Sequence, residues 1–166
     1  SILSKYERGM SLSEIQTRIA HACDRHGRDP SGITLIAVSK VQPLERVEAV
    51  LNEGHRVFGE NRVQEALEKM PHVGSGATWH FIGHLQSNKT RPVAENFDWV
   101  HTIDKLKTAR RLSDQRPDGL PPLNVCIQVN VDDEASKSGI APRDLPELAA
   151  ACADLPRLQL RGLMCL

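Results

Sequence analysis

Apolar segments short enough to be strands alternate with amphipathic segments of helical period along all 166 residues, and this alternation limits the fold more than any other feature. The stretch "SLSEIQTRIAHACDRHG" sets Leu12, Ile15, Ile19 and Ala22 at helical spacing, with Ser11 and Glu14 in capping-box positions and Gly27 as a stop. "ITLIAV" then reads as a strand. "PLERVEAVLNEG" reads as a helix with Pro43 at its first turn and Gly54 at its end. The pattern repeats as strand "RVFG" with helix "NRVQEALEKM", "TWHFIG" with a helix around "SNKTRPVAENF", "DWVHTI" with "DKLKTARRLSDQ", and "LNVCIQVNV" with "RDLPELAAACADL", before a final strand "LQLRGLMCL". The sum is a leading helix, five βα units and a sixth strand.

Strands alternating with helices pair in parallel through helical crossovers, so the class is α/β, either an open doubly wound sheet or a (β/α)8 TIM-type barrel. Neither phosphate motif of the open folds is met: "GSGATW" lacks the third glycine of GxGxxG, and "GHLQSNK" is not GxxxxGK[ST]. A barrel needs eight strands, whereas this chain stops within an apolar strand after the sixth and begins without methionine. The expectation is one barrel domain over residues 1–166 that is incomplete at its C-terminus, with roughly two βα units lacking against a usual barrel of about 250 residues.

Twenty-one basic residues balance 21 acidic ones, which removes the electrostatic footprint of a nucleic-acid binder. The longest apolar runs are too short to span a bilayer. Cys23, Cys126, Cys152 and Cys165 form no CxxC pair and follow no secretory signal, so a reducing, cytoplasmic setting is expected. A small-molecule or protein partner fits this balance better than nucleic acid or membrane.

In parallel α/β folds the chemistry gathers at the carboxyl ends of the strands. Those ends carry Ser39 and Lys40; Gly59, Glu60 and Asn61; Gly83 and His84; Thr102 and Asp104; Asn130, Asp132 and Lys137; and Met164. Lys40, leaving the apolar "LIAV", is the most informative of them. A lysine partly desolvated in a barrel mouth offers a neutral amine as a nucleophile toward an aldehyde. An isolated strand-end lysine more commonly carries its ammonium out to water, and on position alone that reading is favoured. In "GEN" the glycine allows close approach, and Asn61 can either donate and accept beside a ring oxygen or cap the next helix. His80 and His84 have HxxxH spacing, but no glutamate follows His80 and the setting is strand then turn, so no metal site is expected. "DDEASKSG" reads as a solvated loop with one useful lysine, and Trp79 and Trp99 as packing residues.

Taken in order and at these separations, "AVSK", "FGEN", "WHFIGHLQSNK", "NVDDEASKSG" and "RGLM" resemble the pyridoxal phosphate homeostasis protein family, also called the proline synthetase co-transcribed family. The resemblance implies a fold-type III barrel like the N-terminal domain of alanine racemases. It implies pyridoxal 5′-phosphate (PLP) as cofactor, held as a Schiff base on Lys40. Asn61 and Lys137 match cofactor-site positions of the family, and Met164 matches the strand-end position that approaches the ring. This reverses the preference for a solvated Lys40. The implied role is a cytosolic carrier in vitamin B6 homeostasis without established turnover, with PLP-dependent apo-enzymes as recipients. The alternative is a racemase-like PLP enzyme. It is disfavoured because the related racemases use a tyrosine from a second domain as the other acid/base, whereas the one tyrosine here is Tyr6, ahead of the first helix. The family's phosphate-binding groups follow the last two strands, so a protein ending at Leu166 is expected to hold the cofactor weakly.

Overall fold

The computed structural model describes residues 11–132 and 138–166. Among the described residues, those up to Leu35 and those from Ile36 onward form separate compact units. Within the first, α1 (Leu12–Arg25) is capped by Ser11, whose side chain accepts the Glu14 N–H at 3.2 Å. It ends at Gly27 in the left-handed region, and a single 3₁₀ turn follows over Pro30–Gly32.

The second unit is a parallel sheet of six strands in the order β1 to β6: Ala37–Val38, Val57–Glu60, Thr78–Phe81, Trp99–Ile103, Leu123–Gln128 and Leu158–Met164. Between them run α2 (Leu44–Asn52), α3 (Val63–Val73), α4 (Thr90–Asn96), α5 (Leu106–Gln115) and α6 (Leu145–Ala153). Sequential order settles the choice between architectures. A doubly wound sheet reverses its order part-way, whereas right-handed crossovers in unbroken order put every helix on one face, as in a barrel wall. The wall is open, with β1 and β6 at its two edges among the described residues.

Helix-facing side chains alternate along each strand and make the dry layer. Phe58, Phe81, Val100, Leu123, Val125 and Ile127 meet Val47, Ala66, Val93, Ala109, Leu112 and Cys152, all buried in one cluster. Phe58 stacks on Trp79 at 5.3 Å and Phe81 meets Phe97 edge-on at 5.4 Å. Buried Arg116, just past α5, donates to the carbonyls of Ala94 and Phe97, tying off the end of α4, and to that of Pro121 in the loop before β5.

Two local expectations need correction. The strand expected over residues 33–38 contracts to Ala37–Val38, because only these two residues find ladder partners, Phe58 and Gly59, and Val38 is 47% exposed. The helix expected to stop at Met70 runs through Pro71 to Val73, with the proline in the last turn and Gly74 closing it at positive φ.

Candidate functional site

At the carboxyl ends of the strands lies a cavity of about 510 Å³. Lys40, Asn61, Gly83, His84, Thr102, Asn130 and Met164, drawn from the ends of all six strands, share its lining with Ile82 and Gln128. A pocket of this size suits a small ligand rather than a polymer.

Short-range contacts hold its rim. Thr102 donates its hydroxyl to the Gly83 carbonyl at 2.6 Å, fixing the top of β3 to β4. Gly139 donates its N–H to the Asp104 carboxylate at 3.0 Å, Asn130 N–H donates to the Ile140 carbonyl at 2.9 Å, and Ile140 N–H to the Gln128 carbonyl at 2.8 Å. The segment that leaves β5 is thereby returned to the sheet. Ser138 lies 3.5 Å from His84 Nδ1 across the mouth. Gly139 has φ +116°, and a Cβ there would stand 2.7 Å from the Asn130 nitrogen, so this turn requires glycine.

The close backbone approach expected of Gly59 occurs at Gly83 instead. A Cβ on Gly59 would meet side chains, Ile36 at 2.9 Å and Ile82 at 3.1 Å, whereas one on Gly83 would lie 2.5 Å from the Asn61 carbonyl oxygen. Gly83 therefore lets Asn61 reach its place over the sheet. Gly83→Ala is expected to cost about 1–3 kcal/mol of stability, because two strand tops must part to admit the methyl. A melting temperature equal to that of the parent would show that Asn61 moves aside freely.

Asn61 is half-buried, and its Oδ1 is buried without a hydrogen-bond partner among the described residues. A buried amide oxygen without a partner is costly, and one that edges a cavity is suited to a ligand donor. Lys40 is half-buried at the same cavity, and Met164 closes another side. Lys137 lies outside the described residues. His80 and His84 are separated in role: His84 lines the cavity, while His80 points to the face of the sheet away from the helices, where its Nδ1 lies 2.8 Å from His101 Nε2 and its ring stacks on Trp99 at 5.2 Å. Burial, with the neighbouring His101 adding to it, lowers the His80 pKa from 6.5 to about 4, and burial lowers His101 as well. Among the described residues no group of three or more His, Cys, Asp or Glu could hold a metal ion.

Behind Lys40, between β2 and α3, is a buried polar network that sequence reading did not anticipate. Glu60, fully buried, accepts from the Ser39 hydroxyl at 2.6 Å and from Lys69 Nζ at 2.8 Å. Lys69 also donates to Glu65 at 2.8 Å and to the Ser39 carbonyl. Burial opposes the charge on Lys69, but the hydrogen bonds and charges of Glu60 and Glu65 outweigh it and hold the ammonium above its ordinary pKa. Burial likewise opposes ionisation of Glu65, and donation from Lys69 and from the Val41 N–H outweighs it. The only local sequence signal was the Glu65, Lys69 spacing of an i,i+4 helix pair.

The alanine racemase, N-terminal domain family model matches residues 10–166. A "pyridoxal phosphate homeostasis protein" of Pseudomonas aeruginosa is 56% identical over 155 residues, which are 93% of this chain and 67% of that protein. Another of that name, from Escherichia coli K12, is 56% identical over 158 residues, covering 93% of this chain and 68% of that protein. The chain thus spans about two thirds of the length of these curated relatives. Among solved structures, PipY of Synechococcus elongatus "with PLP bound" superposes with a TM-score of 0.75 at 35% identity, over 89% of this chain and 69% of that one. An alanine racemase of Clostridium difficile shares the fold, at TM-score 0.65 and 14% identity over 80% of this chain and 35% of that one. With this agreement of sequence and fold, the chain belongs to the pyridoxal phosphate homeostasis protein family, on the barrel fold of the alanine racemase N-terminal domain.

Proposed function

We propose that this chain binds PLP in the strand-end cavity, with Lys40 as the covalent anchor, and serves as a cytosolic carrier in vitamin B6 homeostasis rather than as a turnover enzyme. The observation that carries this reading is the meeting of an amine, Lys40, with an unpartnered buried amide oxygen, Asn61 Oδ1, at one cavity of a size that suits a single cofactor. PLP, when bound, supplies an aldehyde that a primary amine can condense with, releasing one water. In the proposed arrangement Lys40 presents that amine, Asn61 offers its amide to a polar edge of the ring, and Met164 gives the ring an apolar, polarisable contact. Lys137 is assigned a supporting cofactor contact on family resemblance alone. PLP-dependent apo-enzymes are the proposed recipients.

The test is to incubate the full chain with PLP, reduce with borohydride and map the modified peptide. Label on Lys40, absent from Lys40→Ala, is expected; label on another lysine would overturn the anchor assignment. Wash-out of α-deuterium from an amino acid, lost in Lys40→Ala, would replace the carrier by an enzyme.

A further inference from the structure

We propose that Lys69, with Glu60 and Glu65, is a positioning device for Lys40: it clamps the backbone on both sides of that lysine so that its amine is delivered to the cavity in a reactive pose. This inference rests on the reading of Lys40 as the anchor.

The residues flanking Lys40 are held at every polar group the network can reach. Before it, Ser39 N–H donates to the Gly59 carbonyl at 3.0 Å, Ser39 Oγ donates to Glu60, and the Ser39 carbonyl accepts from Lys69. After it, Val41 N–H donates to Glu65 Oε1. Lys69 has three ammonium hydrogens and three acceptors, Glu60, Glu65 and the Ser39 carbonyl, so it joins the two halves of the clamp.

Val41 supplies a second, independent sign. Among the described residues it alone combines a side chain with positive φ, at 57°, and it is β-branched, the type least suited to the left-handed region. It is 81% exposed, so no packing of its side chain repays that conformation. The turn is held by its backbone contacts, and strain over-determined by surrounding bonds is characteristic of sites where a side chain must be aimed. A buried ion pair on its own is weak grounds for stability, whereas orientation of a nucleophile gains directly from a fixed backbone.

Two mild variants test the clamp without exposing a buried charge to an empty site. Glu65→Gln removes the charge that links Val41 to Lys69, and Ser39→Ala removes only the hydroxyl that reaches Glu60. For each, fold is followed by thermal melting, the rate and extent of borohydride-reducible label at Lys40 are measured with PLP, and affinity is measured for pyridoxine 5′-phosphate, which has an alcohol in place of the aldehyde. The expected result is labelling slowed about tenfold or more with pyridoxine phosphate affinity unchanged within about twofold. Labelling at the parental rate in folded variants would overturn the clamp while leaving Lys40 as anchor. Equal loss for both ligands, or loss of the folded state in both variants, would make the network a structural element and equally overturn it. Parent protein that is not labelled at Lys40 would remove the reading on which the inference stands.

Discussion

Replacing Lys69 by methionine is expected to lower unfolding free energy by about 3–5 kcal/mol at neutral pH, because it leaves the fully buried Glu60 carboxylate without its counter-charge. The side chain of Lys69 is 10% exposed and that of Glu60 0%, so water cannot replace the lost ammonium without opening the layer between β2 and α3. One oxygen of Glu60 already serves two donors, and the other has no partner among the described residues. The double variant Glu60→Gln/Lys69→Met removes both charges and should recover most of the loss, since a buried pair replaced as a unit is often neutral. Urea unfolding of the two single variants and the double closes a mutant cycle with a coupling of at least about 2 kcal/mol. A single-variant loss below about 1 kcal/mol would show that Glu60 is hydrated in the folded protein.

Stability should also fall between pH 6.5 and pH 4, with His80 as a main cause. Its pKa is lowered by burial from 6.5 to about 4, so across that window the unfolded chain takes up a proton that the folded chain refuses. The stabilisation is complete above pH 6.5, declines as pH falls toward 4 and is flat below it, with a full amplitude on the order of 3 kcal/mol. Burial is the chief cause of the refusal, and repulsion from His101, whose Nε2 lies 2.8 Å from His80 Nδ1, adds to it. Burial shifts His101 in the same direction. His80→Phe keeps a ring to stack on Trp99 and should flatten the profile. Denaturant unfolding at several pH values measures it, and an unchanged acid slope in that variant would assign the slope to carboxylates instead.

These effects arise where sequence reading was weakest. The strands and helices were legible because their cues are local: apolar alternation marks β2 to β6, the Ser11 cap opens α1, and Gly27 and Gly54 close helices. Residues 33–36 misled because apolar composition reports a wish for burial, while a strand exists only where a neighbour supplies a ladder, and β2 supplies one to Ala37 and Val38 alone. Lys40, Asn61 and Met164 could be picked out as strand ends, and they line one cavity because parallel strands in sequential order bring all their carboxyl ends to one side. Glu60 was visible as a strand end but not as a buried acid, since Lys69 nine residues later is an ordinary helix lysine until α3 packs on β2. The pairing of His80 with His101, 21 residues apart, was equally hidden, for it depends on the register of β3 against β4.

By itself the sequence determined the parallel α/β class and the side of the sheet on which chemistry would gather, because each follows from periodicity within a few residues, while the choice of Lys40 over a solvated strand-end lysine rested on the family resemblance. The tertiary structure decided which polar groups meet: that Glu60 and Lys69 share a buried bond, that Gly83 rather than Glu60's neighbour Gly59 makes room for the Asn61 backbone, and that His80 finds His101 while His84 finds the cavity. Such meetings are set by strand register and by the packing of helices onto the sheet, which join residues that no local period connects.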